Sequence, residues 1–305
     1  MDLNRLIWLN GNIISLKDAK LNVLSPSFQF GANVFEGIRA YWNDEKKQLY
    51  VFRLDDHYSR LLKSIKLFKM NSNYNLSDFK NALFDVIRAN SFKEDIAIRQ
   101  TVFIDGFGNW ASQDPVGMFV SPIPLGRSLP SGKRGLTASI STYERINDNS
   151  MSPRIKVGAN YINSRYAQLE AKNNGYDTCI FLNNLGKVSE GPGSCIFFLK
   201  DNILYTPMLT DSILDSITRN TVIRIAKELL KIEVIERSID RTELYLSDGV
   251  FLCGSAMEIV PILKVDSFDI NNGEVHQILI SLISKYLDIT KASFILEKSW
   301  NTPIY

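Results

Sequence analysis

Histidine is scarce in this chain: His57 and His276 are the only two among 305 residues. A histidine-rich metal site is therefore excluded. A Ser-His-Asp hydrolase would have to use one of these two, and neither lies near a GxSxG elbow. Both read as structural. Cysteine is almost as rare. Cys179, Cys195 and Cys253 are scattered and form no CxxC pair, so neither a zinc site nor a disulfide framework is indicated, and a reducing cytoplasm is the expected compartment. An excess of charge of one sign is also missing: 35 Lys and Arg stand against 33 Asp and Glu, a net charge of +2. That balance argues against nucleic acid or an acidic membrane surface as partner. No stretch approaches the roughly 20 apolar residues of a membrane helix. Met1–Asn10, with Arg5 but no long apolar core and no small-residue cleavage site after it, does not read as a signal peptide.

What remains is ordinary globular material, 45% hydrophobic and 22% charged, in a length that two domains fill comfortably. Asn10-Gly11 between LIWL and NIIS predicts a hairpin over Leu6–Ser15. VFEGIRAYW and LYVFR read as strands. Helical spacing follows over 55–69 and over 76–89, the latter after Asn75 as a candidate cap. IAIRQTVFI and VGMFVSPI read as paired strands. PLGRSLPSGKRG is rich in Pro, Gly, Ser and charge, and predicts a linker over 125–134 between a first domain, 1–124, and a second, 135–305. In the second half LTASISTYE reads as a strand. Residues 158–174, 217–230 and 275–287 read as helices, and two more hairpins turn at Gly186 and at Asp201-Asn202. Hairpins mixed with separate helices predict an α+β fold rather than a doubly wound parallel sheet.

Six segments in a fixed order carry a resemblance: VFEGIRAY at 34–41, DDHYSRL at 55–61, RIKVGANY at 154–161, VSEGPGS at 188–194, LDSITRNTV at 214–222 and CGSAMEIVPI at 253–262. Together they resemble the signatures of fold-type IV pyridoxal-phosphate (PLP) enzymes, the branched-chain and D-amino-acid aminotransferase group. The resemblance runs from about Trp8 to about Asp266. It implies a two-domain α+β fold with a smaller N-terminal domain and a larger, PLP-binding C-terminal domain built on a barrel-like sheet. It also implies a homodimer at least.

The implied roles follow residue by residue. PLP chemistry needs an amine to hold the cofactor aldehyde as a Schiff base and a base to move the α-proton; the resemblance assigns both tasks to Lys156. Glu190 is the implied carboxylate facing the pyridine nitrogen, favouring its cationic form. Tyr161 is implied to hydrogen-bond the cofactor phenolate. For the phosphate, Ile217 and Thr218 open a predicted helix, where N–H groups and dipole suit an anion. Ser255 adds a hydroxyl after a strand, and Arg60 is the implied counter-charge. The substrate α-carboxylate is implied to meet backbone amides at Ser255-Ala256, and Arg99 to assist acidic side chains such as that of glutamate. The pattern departs from the family at Ala97 and Phe30, where tyrosines are expected, and at Ser194-Cys195, where Glu-Asn is usual. The first two remove hydroxyls from the substrate pocket and so alter which substrates are held. Phe28, Phe30, Phe35 and Trp110 fit either a pocket for an apolar side chain or an aromatic core. The implied reaction is transamination of an L-amino acid, branched-chain or otherwise apolar or aromatic, with 2-oxoglutarate or glutamate as partner. An aminodeoxychorismate-lyase-like activity and a D-amino-acid or amine transaminase remain open beside it.

Overall fold

The computed structural model describes residues 4–129 and 132–305. Pro130 and Ser131, inside the segment expected to be a linker, lie outside the described residues. The chain divides into two units. The first comprises 1–126, 155–159 and 288–305; the second comprises 127–154 and 160–287.

The first unit is built on a seven-stranded sheet. Its strands are β1 (Leu6–Leu9), β2 (Asn12–Ser15), β3 (Asn33–Asn43), β4 (Gln48–Phe52), β5 (Ile96–Ile104), β6 (Val116–Pro124) and the C-terminal strand Asn301–Pro303. Asn10 and Gly11 both take positive φ, 46° and 93°, so the β1–β2 turn forms where the Asn-Gly pair predicts it. The helices are the short α1 (Pro26–Phe30), α2 (Leu54–Leu67) and α3 (Leu76–Asn90). A reciprocal capping box between Asn75 and Asp78 starts α3, a device worth about 1 kcal/mol. One face of the sheet buries Val34, Ile38, Ile98, Val102 and Val120 against Leu54, Tyr58, Leu61, Phe79, Leu83 and Val86. Each such side chain contributes roughly 1.5–3 kcal/mol on burial. Strand alternation then sends Phe35, Gly37 and Arg39 to the other face, beside their partners Thr101, Arg99 and Ala97.

One detail of this sheet positions the site. β4 pairs only with residues 40–43 of β3, which leaves the edge of the 33–39 half uncovered. Residues 155–159 cover it. Phe35 N–H donates to the Lys156 carbonyl at 2.9 Å, Val157 bridges Val34, and Ile155 and Val157 join the core. Gly158 packs close against Asn33: a Cβ there would stand 2.5 Å from Asn33 Oδ1, so a larger residue would have to displace that side chain.

The second unit carries an eight-stranded mixed sheet. Its strands are β7 (Leu136–Ile140), β8 (Thr178–Ile180), β9 (Cys195–Lys200), β10 (Ile203–Thr206), β11 (Val234–Glu236), β12 (Gly249–Gly254), β13 (Glu258–Val265) and β14 (Phe268–Asp269). The spatial order is β11-β10-β9-β12-β13-β7-β8, with β14 on β13. The β9–β10 hairpin turns at Asp201 and Asn202, both at positive φ. Ile196, Phe198, Val250, Leu252 and Ile262 form its core with Ala138 and Val188. Helices α4 (Tyr161–Asn173), α5 (Ile217–Arg224) and α6 (Arg241–Tyr245) belong here, and α7 (Gln277–Thr290) follows. The helix expected over 217–230 is two pieces, α5 and a π-helical turn, Ile225–Leu230. All three cysteines are buried free thiols. Among the described residues no helix is long and apolar enough to cross a membrane, and no cluster of His, Cys, Asp or Glu could hold a metal ion.

Candidate active site

Lys156 sits half-buried on the segment that completes the edge of β3. Its N–H donates to Ser64 Oγ at 3.2 Å and its carbonyl accepts from Phe35, so the backbone is pinned from two sides. Its ammonium lies 5.1 Å from the centre of the Phe35 ring. The Arg99 guanidinium lies 4.0 Å from the same ring, so the two cations share one aromatic neighbour. Among the described residues, its own chain neighbours aside, no heavy atom lies within 4 Å of where a Cβ on Gly37 would stand, which leaves room beside Arg99 on this face.

Beneath them is a cluster the sequence did not announce. Glu36 is fully buried. Its Oε1 accepts from Arg60 Nε at 2.8 Å; its Oε2 accepts from Arg60 Nη2 at 2.6 Å and meets His57 Nδ1 at 2.7 Å. Burial pushes the Glu36 carboxyl up, but the charge and hydrogen bonds of Arg60, with the bond to His57, outweigh it and hold it at about 2. Burial drives His57 below its ordinary value, aided by Arg60 and Lys156 and opposed by Glu36. His57 is therefore neutral near pH 7 and donates its Nδ1 proton to Glu36. The cluster fixes the Arg60 guanidinium on α2.

Of the four aromatics with two possible readings, only Phe35 is buried. Phe28 and Trp110 are 70% and 79% exposed and Phe30 is 49% exposed, so these three are not core. Phe30 meets Trp110 edge-on at 6.3 Å, away from any contact with Phe35 that the structure records.

In the second unit Glu190 ends the strand-like stretch that pairs with Phe181: Phe181 N–H donates to the Glu190 carbonyl at 2.8 Å. Its carboxylate is buried against Arg145, and Oε2 also accepts the Leu214 N–H at 3.1 Å. The turn after it closes with Gly191 N–H on the Ser194 carbonyl at 2.7 Å. Gly193 in that turn faces Tyr161 and Gly254: a Cβ added there would lie 3.6 Å from the tyrosine ring, while a Cβ on Gly254 would lie 3.2 Å from the Gly193 carbonyl. The glutamate turn, the first residue of α4 and the turn after β12 thus meet.

Ser216 caps α5, accepting from Arg219 N–H at 3.2 Å, and Ile217 and Thr218 form its first turn. Thr218 Oγ1 and Ser255 Oγ lie 3.5 Å apart. Two hydroxyls and a helix start converge there, as an anion site requires. The Arg219 side chain points elsewhere, to Pro207, Thr206 and Glu236. The turn at Ser255-Ala256 is braced: Ser128 Oγ donates to the Ala256 carbonyl, and Arg127 pairs with the buried Glu258 at 2.8 Å. Glu258 holds a positive φ of 59°, a strained conformation for a non-glycine residue that its surroundings enforce.

Within the first unit, then, Lys156, Phe35 and Arg99 come together and Arg60 is held through Glu36, while Phe30 stands apart. Within the second, Tyr161, Glu190, Ile217, Thr218, Ser255 and Ala256 lie on neighbouring turns. Arg145, Glu36 and Ser128 were missed. Each acts through a partner remote in sequence; Glu36 lies within the VFEGIRAY signature, while no local pattern marks Arg145 or Ser128.

Residues 33–265 match the family described as Amino-transferase class IV. The chain is 37% identical over 303 residues to the probable branched-chain-amino-acid aminotransferase of Aquifex aeolicus, covering 98% of this chain and 96% of that protein. It is similar to the solved branched-chain amino acid aminotransferase of Thermobaculum terrenum in its PLP form, with 38% identity, a TM-score of 0.94 and 100% of both chains covered. It is also similar to the branched-chain aminotransferase of Thermoproteus uzoniensis solved with norvaline, with 39% identity, a TM-score of 0.92, and 98% of this chain and 99% of that chain covered.

Proposed function

The chain belongs to the amino-transferase class IV family, and from that premise we propose that it is a PLP-dependent transaminase of branched-chain or other apolar L-amino acids, with 2-oxoglutarate or glutamate as partner. Its architecture is the two-domain α+β fold of fold-type IV enzymes.

The residues present fit the cofactor. A braced turn and a helix start with two hydroxyls suit a phosphate, and Ser194 Oγ is buried with no hydrogen-bond partner among the described residues. A buried carboxylate suits a ring nitrogen that carries a proton. When bound, PLP supplies an electron sink for the substrate α-carbon. Lys156 would hold the cofactor through Nζ and would serve as the base for the substrate α-proton. Glu190 would face the ring nitrogen. Tyr161 would donate to the cofactor phenolate, Thr218, Ser255 and the N–H groups at Ile217 and Thr218 would hold the phosphate, and Arg60 would supply its counter-charge. The Ser255-Ala256 amides would orient the substrate carboxylate.

Phe35, with the space over Gly37 and the small Ala97, supports an apolar substrate side chain. Arg99 supports acceptance of the second carboxylate of 2-oxoglutarate. The observation that carries the reading is the pinning of Lys156 at the β3 edge. The test is borohydride reduction of protein with added PLP. Wild type retains the cofactor on the peptide containing Lys156 and Lys156→Ala does not; a reducible linkage that persists in the variant overturns the assignment. Added to the PLP form, L-leucine, L-isoleucine and L-valine should convert it to the amine form. Conversion by D-alanine alone would transfer the substrate class to D-amino acids.

A homodimer is part of the proposal. Val23, Leu24, Phe28, Phe30, Phe107 and Trp110 are exposed on α1 and the loops beside it, an apolar patch of the kind that partners cover. Gel filtration checks it. Three free thiols support residence in a reducing cytoplasm.

A further inference from the structure

Arg145 belongs to none of the segments that carry the family resemblance, yet its side chain is organised around Glu190. Its Nε and Nη2 both lie 2.8 Å from Glu190 Oε1. A carboxylate oxygen has two lone pairs, so Arg145 occupies both on this one. Oε2 is used differently. It accepts the Leu214 N–H at 3.1 Å, and its only other hydrogen-bond contact among the described residues is Cys195 Sγ, at 4.0 Å. That thiol lies closer to the Leu214 carbonyl, at 3.7 Å, and is a weak donor in any case. One strong acceptor position is left on the carboxylate, and it is on Oε2.

Arg145 is itself held on every side. Nη1 donates to Asn163 Oδ1 at 3.0 Å, and Asn163 Nδ2 donates to the Glu144 carbonyl at 2.9 Å. The Arg145 N–H donates to the Leu182 carbonyl at 2.8 Å, and the guanidinium carbon lies 5.5 Å from the Phe181 ring centre. Leu182 and Phe181 belong to the stretch that pairs with Glu190, and Asn163 lies in the first turn of α4 with Tyr161. The arginine is 8% exposed and the glutamate 3%. A buried carboxylate without a charged partner would be strongly disfavoured. A planar two-pronged donor also dictates which oxygen it takes, which a lysine ammonium does not.

We propose that Arg145 is a positioning residue for the transamination: by filling both acceptor positions of Glu190 Oε1 it presents Oε2 to the cofactor ring nitrogen. The proposal rests on Glu190 being the partner of that nitrogen. Asn163 couples this contact to the α4 turn that carries Tyr161.

The experiment uses full-length protein reconstituted with PLP labelled with nitrogen-15 in the ring, in wild type, Arg145→Met, Arg145→Lys, Glu190→Gln and the double variant Arg145→Met/Glu190→Gln. Wild type should show a protonated ring nitrogen, lost in Glu190→Gln. If either fails, the reading of Glu190 fails, independently of Arg145. With both in place, Arg145→Met should move the nitrogen signal toward the unprotonated position. It should also slow kcat of the amino-acid half-reaction about 10- to 100-fold, the range for a lost hydrogen bond to a charged group, with KM little changed. Arg145→Lys should fall between Met and wild type in both readouts. The double variant should be no slower than Glu190→Gln alone. An unmoved nitrogen signal in the Arg145 variants overturns the proposal, as does a double variant whose losses multiply. Should Arg145→Met fail to fold, the nitrogen signal of Arg145→Lys decides by the same criterion.

Discussion

Glu36 in the first unit and Glu190 in the second are both buried carboxylates held by an arginine, but their oxygens are spent differently. Arg60 straddles Glu36, one donor to each oxygen, and His57 takes a second position on Oε2. Arg145 puts both donors on one oxygen of Glu190 and leaves the other to a backbone N–H and a distant thiol. The first arrangement spreads the arginine over both oxygens and fixes α2 and its arginine to β3, with its one spare acceptor position on Oε1. The second fills one oxygen and keeps its one spare position on the other, Oε2. A buried ion pair is weak evidence of function; what differs between these two is how the arginine divides its donors.

The contrast breaks most sharply at Glu36. Glu36→Gln leaves a buried arginine without its counter-charge and should cost about 3–5 kcal/mol of stability, read from urea unfolding of the apoprotein. Glu190→Gln strips one buried partner, Arg145, where Glu36→Gln strips both Arg60 and His57, so its cost should fall more on chemistry: a half-reaction rate about 10²- to 10³-fold lower, with a smaller change in urea midpoint than Glu36→Gln. If both variants lose mainly stability, the distinction between the two pairs fails.

Acid sharpens the comparison from another side. Glu36 is held at about 2, against an ordinary 4.5. Its contribution is present above about pH 4.5 and drains away as pH falls toward 2. His57 is held below its ordinary 6.5. As pH drops through that value the unfolded chain gains a proton that the folded chain refuses, and stability falls. Urea midpoints between pH 7.5 and 5 should therefore decline, and His57→Asn should flatten that part of the curve. An unchanged slope in His57→Asn would remove His57 from the cluster's energetics. The smallest effect is expected at Asn163. Asn163→Ala removes one bond to Arg145 and should cost about 1 kcal/mol, visible as a modest drop in urea midpoint with Glu190 still paired.

Local chemistry was legible in the sequence. The Asn10-Gly11 hairpin, the Asn75 cap of α3 and the turn at Asp201-Asn202 form where they were expected, since each depends on residues a few positions apart. His276, expected to be structural, accepts the Ile278 N–H at 3.2 Å near the start of α7. The family was legible as well, because six motifs in order are a property of the linear chain. The aromatics were not: exposure separated Phe35 from Phe28, Phe30 and Trp110, and exposure is set by what packs above a residue rather than by what adjoins it.

The sequence by itself determined the elements, the family and the identity of the lysine and the carboxylate proposed to hold the cofactor. Only the tertiary structure decided how those groups are held. Residues 155–159 join the first unit's sheet because β4 leaves half of β3 uncovered, a consequence of strand register. Glu190 meets Arg145 across 45 positions, and Glu36 meets Arg60 across 24. Neither spacing matches a helical or strand period. Burial and long-range hydrogen bonding exist only once the chain has closed, so the donors that set a carboxylate's charge and aim have no signature in its neighbours.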